Sequence, residues 1–276
     1  MVRKEGIAVL KDAPIGVFDS GVGGLTVVRE IIRQLPSENV VYFGDTARVP
    51  YGSKSQKTII EYTRQIIHFL KTKKVKAIVI ACNTASAYAL DAVAPEVGVP
   101  IIGVVRPGAY TAAHTTSSGN IGVIGTEGTI NSGIYSSVLH EYDPGFRVIG
   151  KACPLFVPLV EEGLLNDSVT DEIASRYLQV FKDAHVDTLI LGCTHYPLIR
   201  STIRRIMGEG VNLVNPAYET AISLRCMLKE QGIYRESGEP EYHFFVSDGT
   251  EKFSAFANSI LPVELVETRL VPIDEY

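Results

Sequence analysis

No run of about 20 apolar residues occurs in this 276-residue chain, so no membrane-spanning helix is expected. Met1-Val2-Arg3-Lys4-Glu5-Gly6 has neither the apolar core nor the small-residue cleavage site of a secretory leader, and a cytoplasmic location of bacterial type is the expectation. Basic excess is also missing, with 26 Lys and Arg against 31 Asp and Glu and a formal net charge of −5. The nearest thing to a basic run, Lys71-Thr72-Lys73-Lys74 followed by Lys76, suits a solvated helix end, where cations are favoured, so no direct nucleic-acid contact is expected. Cysteine is scarce. Cys82, Cys153, Cys193 and Cys226 form no Cys-x-x-Cys pair and no zinc-ligand spacing, so no metal site is expected. A reducing cytosol keeps such thiols free, which leaves the question of which ones pack and which ones react.

What is present is an alternation of short apolar runs with helical patterns. Candidate strands are Ile15–Phe18, Val40–Phe43, Ala77–Ala81, Ile101–Val104, Asn120–Ile124, Arg147–Gly150, Thr188–Gly192, Val211–Val214 and His243–Val246. Most are unbroken apolar runs, the pattern of parallel strands buried on both faces. Leu25, Val28, Ile32 and Leu35 mark one helical stripe. Ser53-Lys54-Ser55-Gln56 reads as a capping box opening a long helix whose inner face carries Ile59, Thr63, Ile66, Ile67 and Leu70. A further helix is expected from Ser168, with Val169, Ile173, Val180 and Phe181 inward. Strands alternating with helices define an α/β fold with a largely parallel sheet.

The chain also repeats itself. Val75-Lys76-Ala77-Ile78-Val79-Ile80-Ala81-Cys82-Asn83-Thr84 matches Val186-Asp187-Thr188-Leu189-Ile190-Leu191-Gly192-Cys193-Thr194-His195 in character, position by position. Ile15-Gly16-Val17-Phe18-Asp19-Ser20 matches Ile121-Gly122-Val123-Ile124-Gly125-Thr126 in the same way. The matches keep their order and nearly their separation. They predict two pseudo-symmetric α/β domains with an active site in the cleft between them. The expected division is 1–105 with 215–276 for the first domain and 106–214 for the second. The last part of the chain would return to the first domain, and Arg106-Pro107-Gly108 would mark the crossover.

Cys82 and Cys193 hold equivalent places in the repeat, at the carboxyl ends of predicted parallel strands, where open α/β sheets bind ligands. Each is followed by a predicted helix, Ser86–Val97 and Leu198–Met207. A thiol at a helix N-terminus has its pKa drawn from about 8.5 toward neutrality and can exchange protons near pH 7. Either cysteine alone would read as packing; the repeated placement points to chemistry. Inverting a hydrogen-bearing stereocentre needs one acid/base group on each face of the substrate, and two related domains facing each other supply that arrangement. Cys153 and Cys226 lack this setting and are expected to pack. Asp19-Ser20-Gly21-Val22-Gly23-Gly24 joins a strand to a helix and offers N–H groups to an anion, but it has neither the dinucleotide glycine pattern nor a phosphate-binding lysine. Asp19 could orient a catalytic group, bind an ammonium or cap the helix. Gly44-Asp45-Thr46-Ala47-Arg48-Val49-Pro50-Tyr51-Gly52 is either a site wall or a plain turn. His195, two residues after Cys193, could assist that thiol or bind a carboxylate as an imidazolium. Glu161-Glu162-Gly163 reads as a solvated helix end, with a place lining the cleft as the alternative.

These residues resemble the glutamate racemase family of the cofactor-independent aspartate/glutamate racemase superfamily, over nearly the whole chain. The resemblance is carried by Phe18-Asp19-Ser20-Gly21-Val22-Gly23-Gly24-Leu25, by Asp45-Thr46 with Pro50-Tyr51-Gly52, and by Ala81-Cys82-Asn83-Thr84-Ala85-Ser86. It continues in Gly192-Cys193-Thr194-His195-Tyr196-Pro197-Leu198 and in Asn215-Pro216-Ala217 with Glu219-Thr220. It implies interconversion of L- and D-glutamate for peptidoglycan synthesis with no cofactor, neither pyridoxal phosphate nor metal. Cys82 would act on the α-proton of the D-enantiomer and Cys193 on that of the L-enantiomer, assisted by Asp19 and His195 respectively. Ser20, Pro50, Tyr51, Gly52, Asn83, Thr84, Thr126 and Thr194, with Asp19 and His195, would bind the substrate. A homodimer is implied, with Arg106-Pro107-Gly108 in the form of Gram-positive members, and some members are reported to inhibit DNA gyrase. The rival expectations are a racemase for aspartate or another amino acid, a binding or regulatory protein, and a nucleotide-binding α/β protein. Without a Schiff base, the carbanion needs fixed dipoles in a water-poor site, so closure of the domains around the substrate is expected.

Overall fold

The computed structural model describes residues 10–264 and 267–276. Among these, every one of the nine expected strands is present, and they form two parallel sheets. The first contains β1 (Ile15–Asp19), β2 (Val40–Gly44), β3 (Ala77–Ile80), β4 (Ile101–Gly103), β9 (Tyr242–Val246) and β10 (Thr268–Leu270), in the order β10-β9-β2-β1-β3-β4. The second contains β5 (Asn120–Gly125), β6 (Arg147–Ala152), β7 (Thr188–Gly192) and β8 (Asn212–Val214), in the order β6-β5-β7-β8. Four strands of the first sheet, β2-β1-β3-β4, thus have the same order as the second. The register agrees as well: Ile15 pairs with Ala77 and Gly16 with Ile78, as Ile121 pairs with Thr188 and Gly122 with Leu189. These are the positions that the sequence repeat aligns. β1, β2, β3 and β7 are buried along their whole length, which is why their sequences do not alternate. β10, a short exposed edge strand, carries no apolar run and was not among the expected strands.

Helices cover both faces of each sheet. α1 (Leu25–Gln34) buries Leu25, Val28, Ile31 and Ile32 against β1 and β2, each contributing about 1.5–3 kcal/mol on full burial. α2 (Gln56–Thr72) buries the expected face. Its cap is Ser55 rather than a box from Ser53: the Ser55 hydroxyl accepts from the Thr58 amide, and Ser53 belongs to a preceding 3-10 turn, Tyr51–Ser53. α3 (Asn83–Val97) follows β3. After β4 the chain leaves the first sheet through α4 (Val105–Thr115), so Arg106-Pro107-Gly108 is the first turn of a helix and not a loop. In the second sheet come α5 (Glu127–Asn131), α6 (Ile134–Tyr142), α7 (Phe156–Glu161), α8 (Ser168–Asp183) and α9 (Arg200–Met207). α8 turns a different face inward than expected. Thr170, Ala174, Leu178 and Phe181 are buried, whereas Val169 and Val180 are exposed, because the first apolar residue after the cap does not share the stripe of Leu178.

The chain returns to the first sheet through α10 (Pro216–Glu230), and α11 (Thr250–Ile260) follows β9. Asn215 caps α10 through the Ala217 amide, and Pro216 occupies its first turn, where the missing N–H costs nothing. The two crossing helices, α4 and α10, pack together so closely that a side chain at Gly108 would meet Pro216 at 3.0 Å. Cys153 is buried beneath the Tyr196 hydroxyl, which donates to its carbonyl, while Cys226 lies exposed on α10 and does not pack as expected.

Candidate active site

The carboxyl ends of both sheets face one another across a cavity of about 230 Å³. This is below the range of about 300–1,000 Å³ typical of sites for drug-sized ligands, and so suits a small molecule better than a dinucleotide. Eleven of the twelve expected site residues line it: Ser20, Pro50, Tyr51, Gly52, Cys82, Asn83, Thr84, Thr126, Cys193, Thr194 and His195. Asp19 does not. It lies behind this wall, with no exposed surface, at the end of β1.

Cys82 is the N-cap residue of α3, and its thiol accepts from the Ala85 amide at 3.5 Å. It also donates to the Ser20 hydroxyl at 3.7 Å. The helix-terminal amide of Ala85 pulls this thiol's pKa down, but it is outweighed, contrary to expectation. Burial, with the neighbouring Asp19 carboxylate adding to it, pushes the thiol up to about 12. Asp19 Oδ2 accepts from the amides of Gly21 and Gly24, at 3.1 and 2.9 Å, while Oδ1 has no partner. Burial raises its carboxyl above the usual range, against the opposing pull of His195 and the loop amides. The loop can wrap the carboxylate only because position 24 is glycine, since a Cβ there would sit 2.4 Å from Asp19 Cβ.

Cys193 has a different setting. Its thiol stands 3.8 Å from His195 Nδ1, and His195 Nε2 stands 3.1 Å from Glu161 Oε1. Burial alone would lower the imidazole. The bonds to Cys193 and Glu161, with the charge of Asp19, outweigh it and push His195 up to about 10. Glu161 is thus no solvated helix end. It closes α7, lines the cavity, and its carboxyl is lowered chiefly by the hydrogen bond to His195. Sequence reading favoured the solvated end over the cleft wall because a Glu-Glu-Gly helix end looks the same whether or not a histidine 34 positions later folds against it.

The remaining walls are held across the junction. The hydroxyls of Thr84, Thr126 and Thr129 form a triangle at 2.9, 3.1 and 3.2 Å, joining α3 to the start of α5. Thr126 caps α5 as Cys82 caps α3. The Thr26 hydroxyl donates to the Thr194 carbonyl at 2.8 Å. A side chain at Gly23 would meet Thr194 Oγ1 at 2.3 Å and the His195 ring at 2.5 Å. In the loop after β2, Asp45 is completely buried. It pairs with Arg48, accepts from the Tyr51 and Ser247 hydroxyls, and so fixes the Pro50-Tyr51-Gly52 segment that lines the cavity. That loop is a site wall, with Asp45 as its internal anchor. No group of three His, Cys, Asp or Glu among the described residues is placed to hold a metal ion.

Two facing parallel α/β units with a thiol at each carboxyl edge define the class, and comparison with known proteins agrees. The chain belongs to the Asp/Glu/hydantoin racemase family, whose pattern it matches over residues 15–221. It is an amino-acid racemase, an isomerase, and its relatives at high identity are glutamate racemases. It is 47% identical over 261 residues to the glutamate racemase of Geobacter metallireducens, covering 94% of this chain and 97% of that one. Among solved structures, a glutamate racemase isoform of Bacillus anthracis superposes with a TM-score of 0.92 at 42% identity, covering 95% of this chain and 98% of that one. The Francisella tularensis glutamate racemase in complex with D-glutamate gives 0.90 at 39% identity, covering 96% and 100%.

Proposed function

We propose that this chain interconverts L- and D-glutamate by a two-thiol mechanism, with Cys82 and Cys193 as the acid/base pair. The observation that carries this reading is the presence of both thiols on the wall of one small cavity, each in a different electrostatic seat. In the L-to-D direction the His195 imidazolium is the counter-ion for a Cys193 thiolate, which takes the α-proton. Cys82, held as a thiol, gives a proton to the opposite face. The D-to-L direction starts from the other protonation form, Cys82 as thiolate and Cys193 as thiol; to reach it from the resting form the Cys82 proton passes to a base, and Asp19, whose carboxyl is raised by burial behind Cys82, is the group to take it.

Ser20, Asn83, Thr84, Thr126 and Thr194 offer hydroxyl and amide groups for the substrate's carboxylates and ammonium, with the Pro50-Tyr51-Gly52 segment closing one end. Donors fixed in a water-poor cavity stabilise the developing carbanion without reorganising. The reading requires neither pyridoxal phosphate nor a metal. It also includes the division into 1–105 with 215–276 and 106–214, which sheet membership supports. Supply of D-glutamate to peptidoglycan, a cytoplasmic location and a homodimer complete it. Contact with DNA gyrase rests on the family resemblance alone.

The test is turnover of L-glutamate in D2O by chelator-treated protein without pyridoxal phosphate, beside Cys82→Ala and Cys193→Ala. D-Glutamate carrying α-deuterium from the parent protein, and no racemisation by either variant, is the expected result. Turnover of aspartate but not glutamate would move the substrate and keep the mechanism. No exchange with any amino acid would sink the reading.

A further inference from the structure

The loop that carries Pro50, Tyr51 and Gly52 into the cavity wall is fastened from outside that wall, by the two residues that follow β9. The Ser247 hydroxyl accepts from the Ala47 amide at 2.9 Å and donates to Asp45 Oδ1 at 2.9 Å. The partners fix both directions: an amide N–H can only donate, and a carboxylate ion-paired with Arg48 can only accept. Thr46 reaches back the other way. Its hydroxyl donates to the Asp248 carbonyl and accepts from the Asp248 amide at 2.9 Å. The Ser247 amide completes the clasp by donating to the Gly44 carbonyl at 3.1 Å.

What the clasp holds reaches the cavity in two steps. Asp45 Oδ2 accepts from the Tyr51 hydroxyl, and Tyr51 is on the wall although Ser247 is not. Beside Tyr51, Gly52 lies directly against the other half of the molecule. A side chain at Gly52 would meet Thr126 Cβ at 2.7 Å, and one at Gly128 would meet the Gly52 carbonyl at 2.9 Å. Thr126 is itself a wall residue, so the place of the loop decides how the two halves meet at this end of the cavity. We infer that Ser247 is a positioning residue for substrate binding, which through Asp45 sets where Tyr51 and Gly52 stand against Thr126. The thiols are seated by other elements, Cys82 capping α3 and Cys193 following β7, so the clasp bears on binding rather than on proton transfer. This inference rests on the glutamate reading and deepens it by naming what holds one wall of the substrate's site.

The experiment is steady-state racemisation of each glutamate enantiomer by the full chain and by Ser247→Ala, Ser247→Thr and Thr46→Val. In Ser247→Ala, KM is expected to rise about tenfold, the scale of a lost hydrogen bond, with kcat within about twofold of the parent, because the wall binds ground state and transition state alike. Ser247→Thr keeps the hydroxyl and should return KM to within about twofold of the parent. Thr46→Val removes the other half of the clasp and should raise KM in the same sense, which also gives the reading if Ser247→Ala does not fold. A merely structural Ser247 would lower the thermal midpoint and leave KM where it was, and that result overturns the inference. A fall in kcat with no rise in KM overturns it as well, as does a Ser247→Thr variant no better than Ser247→Ala. These results leave the glutamate reading standing, since the parent still turns glutamate over. A parent chain without glutamate turnover overturns both.

Discussion

The two thiols occupy equivalent places but unequal surroundings, and the difference is made by single residues. One has a carboxylate behind it, the other an imidazole whose far side is tied to Glu161. The His195 pair has a consequence for pH. The imidazole's folded pKa, about 10, lies above its value of 6.5 in the unfolded chain. It therefore stabilises the fold fully below about pH 6.5, and that contribution is lost as pH rises through 10. The Glu161 carboxyl is shifted down, so its share is present above its ordinary value near 4.5 and is lost as pH falls through its lower folded value. Glu161→Gln should move the His195 titration to lower pH. Urea unfolding of parent and variant should show a gap that is widest between about pH 4.5 and 6.5 and narrows toward pH 10, and the alkaline limb of kcat/KM should shift acidward. A gap constant from pH 5 to pH 10 would show that the pair carries no charge.

At the scale of elements, the glycine loop between β1 and α1 is built for contact rather than for phosphate. Gly23 admits the Thr194-His195 segment of the opposite half. In Gly23→Ala the added methyl cannot coexist with that approach, so the halves would be held apart while the sheets keep their core. Turnover should fall by about 100-fold, the scale expected for a misplacement of about 1 Å, with the thermal midpoint little changed. Unaltered turnover would mean that the contact is not needed for catalysis. Elements were also the scale most legible in sequence. Buried parallel strands announce themselves as unbroken apolar runs, and the positions aligned by the repeat, Ile15–Ser20 with Ile121–Thr126, take equivalent register in the two sheets. What escaped notice was set by long-range contacts. β10 has no apolar run, the face of α8 depends on what it packs against, and Glu161 gains its role from a histidine on another element. The raised Cys82 thiol escaped for the same reason, since a helix terminus is visible in sequence and the degree of burial is not.

For the whole molecule, the chain crosses twice between the sheets, out through α4 and back through α10, and the returning end is fastened at the far side from the thiols. Lys76 and Glu38 form an ion pair at 2.5 Å with both side chains fully buried. Lys76 also donates to the carbonyls of Lys11 and Ile233, and the Arg235 amide donates to Glu38. The pair thus ties the starts of β2 and β3 to the segment that follows α10. Lys76→Met should cost about 3–5 kcal/mol in urea unfolding, because a buried carboxylate is left alone, and Glu38→Leu added to it should recover most of the loss. Both variants should keep kcat/KM at temperatures where they are folded. A single variant as stable as the parent would remove the pair from the account of stability.

The unequal seats of Cys82 and Cys193 also meet a limit set outside the protein. Mirror-image amino acids have identical free energies in water, so the equilibrium constant between them is one. The Haldane relation then forces kcat/KM to be the same in both directions, however differently the two thiols are held. A protonated Cys82 beside Asp19 and an imidazolium beside Cys193 cannot favour one enantiomer over the whole cycle. Their asymmetry can appear only as a matched pair of differences, a higher kcat for one enantiomer accompanied by a proportionately higher KM.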